Sequence, residues 1–388
     1  MLFKEIKDVA LREIRLIRQR PEFFLSSVVV MGFCCIFYLT FFGKGTPEEL
    51  PVGVVDLDNS SASRSFRRNL DASQSCATIS FQDYQAAREA MQRGEIHGFC
   101  VLPHGMYDNL LSGRKPEITY YINSQYYVAA SMAYKQITQM VNLTGGSVKV
   151  QMLIAQKYNA QQISGIVQPV IVDAHCIGNT CANYNFALTS TLLPGVLQMI
   201  IILVCVYSLC SELKFGTSKN LLMHSGDSLY TAIVGKLLPH TVFFIALGAI
   251  VELLMYHGMH FPIKGNVWNI ILFLIPFVFA CEAIAVLIAG LIPNLRLAIS
   301  VGAILSVMGF TLSGFTYPAE AMPAFFRGWC SVFPLRHFYL MNVSETIYGT
   351  GFAGWYKEVI ACCIIMFVPL ITHRRLYNAY KYQRYERD

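Results

Sequence analysis

Six stretches of this chain are apolar for long enough to cross a bilayer, and their layout constrains the fold more than any other feature. A bilayer core of about 30 Å is crossed by about 20 helical residues, and a helix satisfies its own backbone polar groups there. The runs read as spans at 23–42, 187–210, 234–256, 268–292, 297–316 and 355–372. One span therefore stands alone, a long water-compatible stretch follows, and five spans crowd behind it. Hydrophobic residues make up 54% and charged residues 14%, against about 25% charged in ordinary soluble domains, so a soluble core is the wrong picture. The fold class expected is an α-helical polytopic membrane protein carrying an inserted domain.

The first run is read as a retained span. It is longer than the roughly 7–15 residues of a signal-peptide core, and Gly43-Lys44-Gly45-Thr46-Pro47 is not a clean small-x-small cleavage site. Lys4, Lys7, Arg12, Arg15, Arg18 and Arg20 precede it, and Arg374, Arg375, Lys381, Arg384 and Arg387 end the chain. Cytoplasmic flanks collect such charge, so both termini are expected in the cytoplasm and the span count is even. This places 43–186, 257–267 and 317–354 outside and 211–233 and 293–296 inside a cell inner (cytoplasmic) membrane. The eleven Lys/Arg of 43–186 are matched by eleven Asp/Glu, so this domain gives no electrostatic reason to expect nucleic acid.

Residues 1–22 place Phe3, Ile6, Val9, Ala10, Ile14 and Ile17 at helical spacing among basic residues, with Pro21 as an elbow. The pattern suits a helix lying in the headgroup layer among membrane lipids, or a plain cytoplasmic helix. The domain at 43–186 reads as α/β and extracytoplasmic. Pro51–Asp56, Ala77–Phe81, His97–Pro103 and Glu117–Asn123 are β-prone, Asp83–Arg93 is an amphipathic helix, and 126–166 reads as helix interrupted at Gly145-Gly146. A last β-prone run, Gln168–Val172, leads back to the membrane.

Most of the twelve cysteines sit in apolar spans, as small hydrophobes do. In an oxidising space Cys176 and Cys181 could close a short loop; free thiols and a metal site beside His175 are the other readings, the metal having too few ligands at unhelpful spacing. No G-x-x-x-x-G-K-[ST], H-E-x-x-H or G-x-S-x-G occurs, so the chain is expected to be no enzyme, to bind no cofactor or metal of its own, and to draw any energy from elsewhere.

Glu212-Leu213-Lys214-Phe215-Gly216-Thr217-Ser218-Lys219-Asn220-Leu221-Leu222 resembles the E-x-E-x-G-T-x-E-x-L-L element of type-2 ABC exporter permeases. Gly235-Lys236-Leu237-Leu238-Pro239 is similar to that family's G-K-L-L-P at the third span. Ser313-Gly314-Phe315-Thr316-Tyr317-Pro318, Glu320-Ala321-Met322-Pro323 and Phe333-Pro334-Leu335-Arg336-His337-Phe338 match its outer re-entrant stretch. The likeness runs over nearly the whole chain, including the large domain after span one. It implies a permease subunit working as a pair, with itself or a similar permease, alongside separate ABC ATPase subunits that bind ATP-Mg. It leaves open a periplasmic adaptor and an outer-membrane channel. It also implies that the 211–233 loop is the ATPase-coupling element, Glu212 and Thr217 making the contact and Gly216 permitting close approach. Lys214 and Lys219 depart from the family's acids.

Pro318, Pro323 and Pro334 break any continuous helix, so 318–340 is expected to dip into the outer half of the membrane and return, Met322, Phe325, Phe326 and Phe333 forming an outer gate. Glu282 lies inside the fourth span, where a carboxylate is costly; it either faces a pathway or makes an interhelical hydrogen bond. Glu252, His257 and His260 are read as meeting water or headgroups. The cargo expected is lipophilic or amphipathic: a drug, lipid or glycolipid. The rival reading is a receptor or scaffold whose outer domain binds a partner without transport.

Overall fold

The computed structural model describes residues 2–169, 175, 177–179 and 183–385. The chain divides into two compact units, Thr46–His175 and a membrane unit formed by Met1–Gly45 with Cys176–Asp388.

The membrane unit carries six helices long and apolar enough to span: Pro21–Phe41, Tyr184–Lys214, Leu229–Gly258, Val267–Leu291, Leu295–Leu312 and Phe352–Ile371. The second and fourth are the most deeply buried and form the centre on which the others pack. Pro194, Pro239 and Pro276 lie inside these helices without ending them, as neighbouring helices in a bundle permit. Two boundaries differ from expectation at the same end of the bundle. The second helix continues through Glu212 to Lys214, and the third begins at Leu229, because Ser228 caps it by accepting from the Thr231 amide at 3.4 Å. The loop expected at 211–233 is thus mostly helical, with a short helix at Ser218–His224.

Both chain ends fold onto that loop. The N-terminal helix Leu2–Gln19 buries Val9, Ala10 and Glu13 while Phe3, Leu11 and Ile14 face outward. It lies against the third span at Gly235, where a Cβ would come within 2.8 Å of the Val9 Cβ and 2.9 Å of the Ile6 carbonyl oxygen. Glycine is what the helix contact requires there. The C-terminal helix His373–Tyr382 buries Leu376, Ala379 and Tyr380. The Ser218 hydroxyl donates to the Tyr380 carbonyl at 2.9 Å, and the Tyr380 hydroxyl to the Leu209 carbonyl at 2.9 Å.

At the other end of the bundle the chain between spans five and six breaks into short pieces. A turn of 3-10 helix at Ala319–Ala321 follows Pro318, a helix at Ala324–Cys330 follows Pro323, and Pro334 opens the helix Pro334–Val343. Each proline stands where a helix begins, the position at which its missing N–H costs nothing. Glu345 is fully buried beyond this helix and accepts from the Trp355 indole at 2.7 Å, the Asn269 amide at 2.9 Å and the Asn266 backbone at 3.1 Å. It ties the start of span four to the last span.

The unit Thr46–His175 is built on a four-stranded sheet in the order β2-β1-β3-β4, from β1 (Leu50–Asp56), β2 (Cys76–Phe81), β3 (Gly98–Leu102) and β4 (Thr119–Ile122). β1 runs parallel to β2 and β3, while β4 is antiparallel to β3. The parallel pairs need crossover helices: Ser61–Asp71, capped by Ser60, and Tyr84–Gln92, capped by Asp83. Phe66, Leu70, Val52, Val54 and Cys100 share a core with Ala133 and Ile137 of the helix Tyr127–Ala155. That helix passes through Gly145-Gly146 unbroken, contrary to expectation, and ends at Ala155, with Gln156 as its cap and Lys157 just beyond at φ of +61°. Each helical glycine costs about 1 kcal/mol, and the helix is held on either side of the pair by Met140 and Val148 in the core. Part of the Gln168–Val172 run lies outside the described residues.

Candidate functional site

The most unusual chemistry of the membrane unit is a dry cluster of charges where the N-terminal helix, the end of span two and the start of span three meet. Glu13, Glu212 and Lys236 are each at most 2% exposed. The Lys236 ammonium lies 2.5 Å from Glu13 Oε2 and 2.8 Å from Glu212 Oε1. Arg12 grips Glu212 with two parallel bonds of 2.7 and 2.9 Å, the bidentate fork that only arginine offers. Glu13 also accepts from the Ser208 hydroxyl at 2.7 Å and meets His240 Nε2 at 3.1 Å, while Glu212 accepts from Thr217. Two carboxylates thus face two cations, the balance that a buried ionic group needs.

Burial alone would push the Glu13 carboxyl up, yet Lys236 and His240 outweigh it and hold it down to about 2. Burial would lower the Arg12 guanidinium, and Glu212 raises it above its ordinary value. The cluster is therefore a charged lock, fastening the N-terminal helix to two spans and, through Thr217, to the turn between them.

The surface this lock presents differs from the one expected. Glu212 points inward and has internal partners on both oxygens, and Thr217 serves Glu212 rather than solvent. Glu212 is therefore not on the outward face of the turn. The outward face consists of Lys214, Phe215, Gly216, Lys219, Asn220 and Met223, with Phe215 and Met223 at 54% and 71% exposure. Gly216 has φ of +69°, a left-handed turn that ends the span-two helix and suits glycine. The Gln383 side chain donates to its carbonyl.

The expected gate residues fall into two sets. Met322 and Phe333 are buried in one cluster with Leu312 and Cys330, whereas Phe325 and Phe326 are 71% and 45% exposed beside Trp329. The Leu335 amide donates to Gln198 Oε1 on span two at 2.8 Å, which anchors the start of the helix opened by Pro334. Glu282 is buried against Thr241, whose hydroxyl lies 2.9 and 2.8 Å from its two oxygens. Glu252 is also buried, at 2% exposure, so the expectation that it meets water or headgroups is corrected; His257 and His260 are exposed. Cys176 and Cys181 lie outside the described residues, and no disulfide joins the cysteines among the described ones. Among the described residues no group of three or more His, Cys, Asp or Glu is placed to hold a metal ion.

Sequence reasoning singled out Glu212, Gly216 and Thr217 but missed Arg12, Glu13, Ser208 and His240, and it used Lys236 only as part of a motif. The signal was present: Lys236 and His240 stand four residues apart in a mostly apolar span, where polar groups need partners.

A search of curated proteins returns no match. A family model described as ABC-2 family transporter protein matches residues 22–372. That match takes in the six spans, the Glu212 and Lys236 side of the buried charge lock, and the broken outer segment, and by it this chain belongs to the ABC-2 transporter family.

Proposed function

We propose that this chain is the permease of an ATP-driven exporter, moving a lipophilic or amphipathic cargo outward from the cytoplasm or inner leaflet. Membership in the family implies an ABC ATPase as partner. The observation that carries the reading is the lock of Arg12, Glu13, Glu212 and Lys236. A push on the turn at 215–223 reaches spans two and three and the N-terminal helix together, because charged contacts in a dry site resist separation.

In this reading the ATPase docks on Phe215, Lys219 and Met223, both termini are cytoplasmic, and the unit Thr46–His175 lies on the outer side of the inner membrane. Two copies of the chain enclose the pathway, and the outer short helices close it. The same docking surface makes the reading testable. Cysteines placed at Lys219 and Met223 should crosslink to an ATPase subunit co-purified from native membranes. A chain that purifies without any ATPase, and whose turn crosslinks to nothing, is a receptor or scaffold instead.

A further inference from the structure

A cleft of about 450 Å³ runs between spans three, four and six. Its walls are Ile233, Leu237, Phe279, Val286, Met366 and Leu370. Tyr230 and His373, with rings stacked 4.3 Å apart, also line it, as do Thr241 and Glu282. Tyr230 and Thr241 sit on one helix about 16 Å apart at about 1.5 Å per residue, so the cleft is long and narrow. Its volume is that of a small-molecule site, which are roughly 300–1,000 Å³.

Glu282 is the exception to the apolar lining. It is 3% exposed, and both its oxygens face the same hydroxyl, that of Thr241. One hydroxyl supplies one proton, while a carboxylate has about four acceptor positions. Acceptor capacity is therefore left over at a dry site that lines the cleft. No basic side chain pairs with Glu282 among the described residues, and no lysine or arginine lines the cleft.

We infer that this cleft binds a lipophilic amine, its apolar body against the walls and its protonated primary or secondary nitrogen on Glu282. An ammonium supplies both the missing donors and the missing charge. A phosphate-bearing head brings a second negative charge toward Glu282 with no lysine or arginine to meet it. Presented from water or from the bilayer, the amine offers the same chemistry. Binding does not depend on transport, so it is measured on the permease alone.

The experiment uses the full chain in phosphatidylcholine nanodiscs with a diazirine-bearing dodecylamine, and the same probe built on dodecanol and on dodecanoate. Labelled peptides are mapped by mass spectrometry. The amine should label spans three, four and six about tenfold more than either other head group. Glu282→Gln should remove that preference, and Leu238→Trp, a change at an exposed rim position, should block labelling without touching the acid. Labelling should persist in discs containing phosphatidylethanolamine. Equal labelling by all three probes, or an amine preference unchanged in Glu282→Gln, overturns the inference and leaves an acyl-chain groove. Loss of labelling in phosphatidylethanolamine discs assigns the site to the lipid head group and overturns a free amine as ligand.

Discussion

Lys236 on span three and Glu212 at the end of span two are joined by a 2.8 Å contact sealed from solvent. The two residues belong to two of the stretches of sequence that resemble exporter permeases, so stretches read apart in the chain form one piece of the structure. Removing the ammonium leaves two buried carboxylates with Arg12 as the one lysine or arginine still beside them. Breaking a buried ion pair costs about 3–5 kcal/mol, far more than the pair contributes over an apolar pair of the same shape. Lys236→Met should therefore lower the thermal unfolding midpoint in detergent steeply. The double change Lys236→Met, Glu13→Gln, which leaves Arg12 paired with Glu212, should recover most of it, and a double variant no better than the single one would mean that charge balance is not what the cluster supplies.

Acid should act on the same lock through Glu13. Its carboxyl is held down to about 2 in the folded chain by Lys236 and His240, against the burial that would raise it. A depressed folded pKa contributes stability that is fully present above the unfolded value, about 4.3 for glutamate, and is lost as pH falls toward about 2. Unfolding midpoints measured from pH 6 downward should fall in that window. Glu13→Gln should be less stable at neutral pH and flatter across it, whereas parallel curves for the two proteins would show that Glu13 does not carry the acid sensitivity.

Much of this architecture was legible because it rests on short-range rules. Apolar runs of membrane-crossing length located the six spans, and prolines at 318, 323 and 334 showed that the outer segment is no continuous helix, which the short helices there bear out. β-prone runs located the four strands. The charge lock was not legible because its partners are 223 and 200 residues apart, Glu13 with Lys236 and Arg12 with Glu212. On an amphipathic helix rich in lysine and arginine, Arg12 and Glu13 look like part of a solvated face. The Gly145-Gly146 break was misread because propensity is a weak prior that packing overrides. Glu252 was misread because its depth could be judged from the sequence only by nearness to the helix end, while its burial comes from neighbouring spans.

The turn at Gly216 should be sensitive to backbone shape rather than to crowding. A Cβ there would meet only Gln383 Nε2, at 3.9 Å, but φ of +69° is costly for a β-branched residue, about 1–2 kcal/mol. Gly216→Asn should keep most ATP-dependent transport, since asparagine tolerates this conformation, and Gly216→Val should lose it while the ATPase still hydrolyses ATP. Equal transport by both variants would show that the turn's conformation does not matter to coupling.

The outer segment offers a test that separates packing from gating. Met322 and Phe333 are buried with Leu312 and Cys330, so polar replacement of either should destabilise the fold by about 2–5 kcal/mol, as large deletions in a core do. Phe325 and Phe326 are 71% and 45% exposed, so Phe325→Ser with Phe326→Ser should leave the single chain folded. If these two rings close the outer end of the pathway, the double variant should raise ATP-independent solute flux through reconstituted protein, because a small apolar constriction excludes water and a polar one admits it. Flux unchanged in a correctly folded double variant would take the gate role from these two residues and leave the buried pair Met322 and Phe333 as structural elements of the outer segment alone.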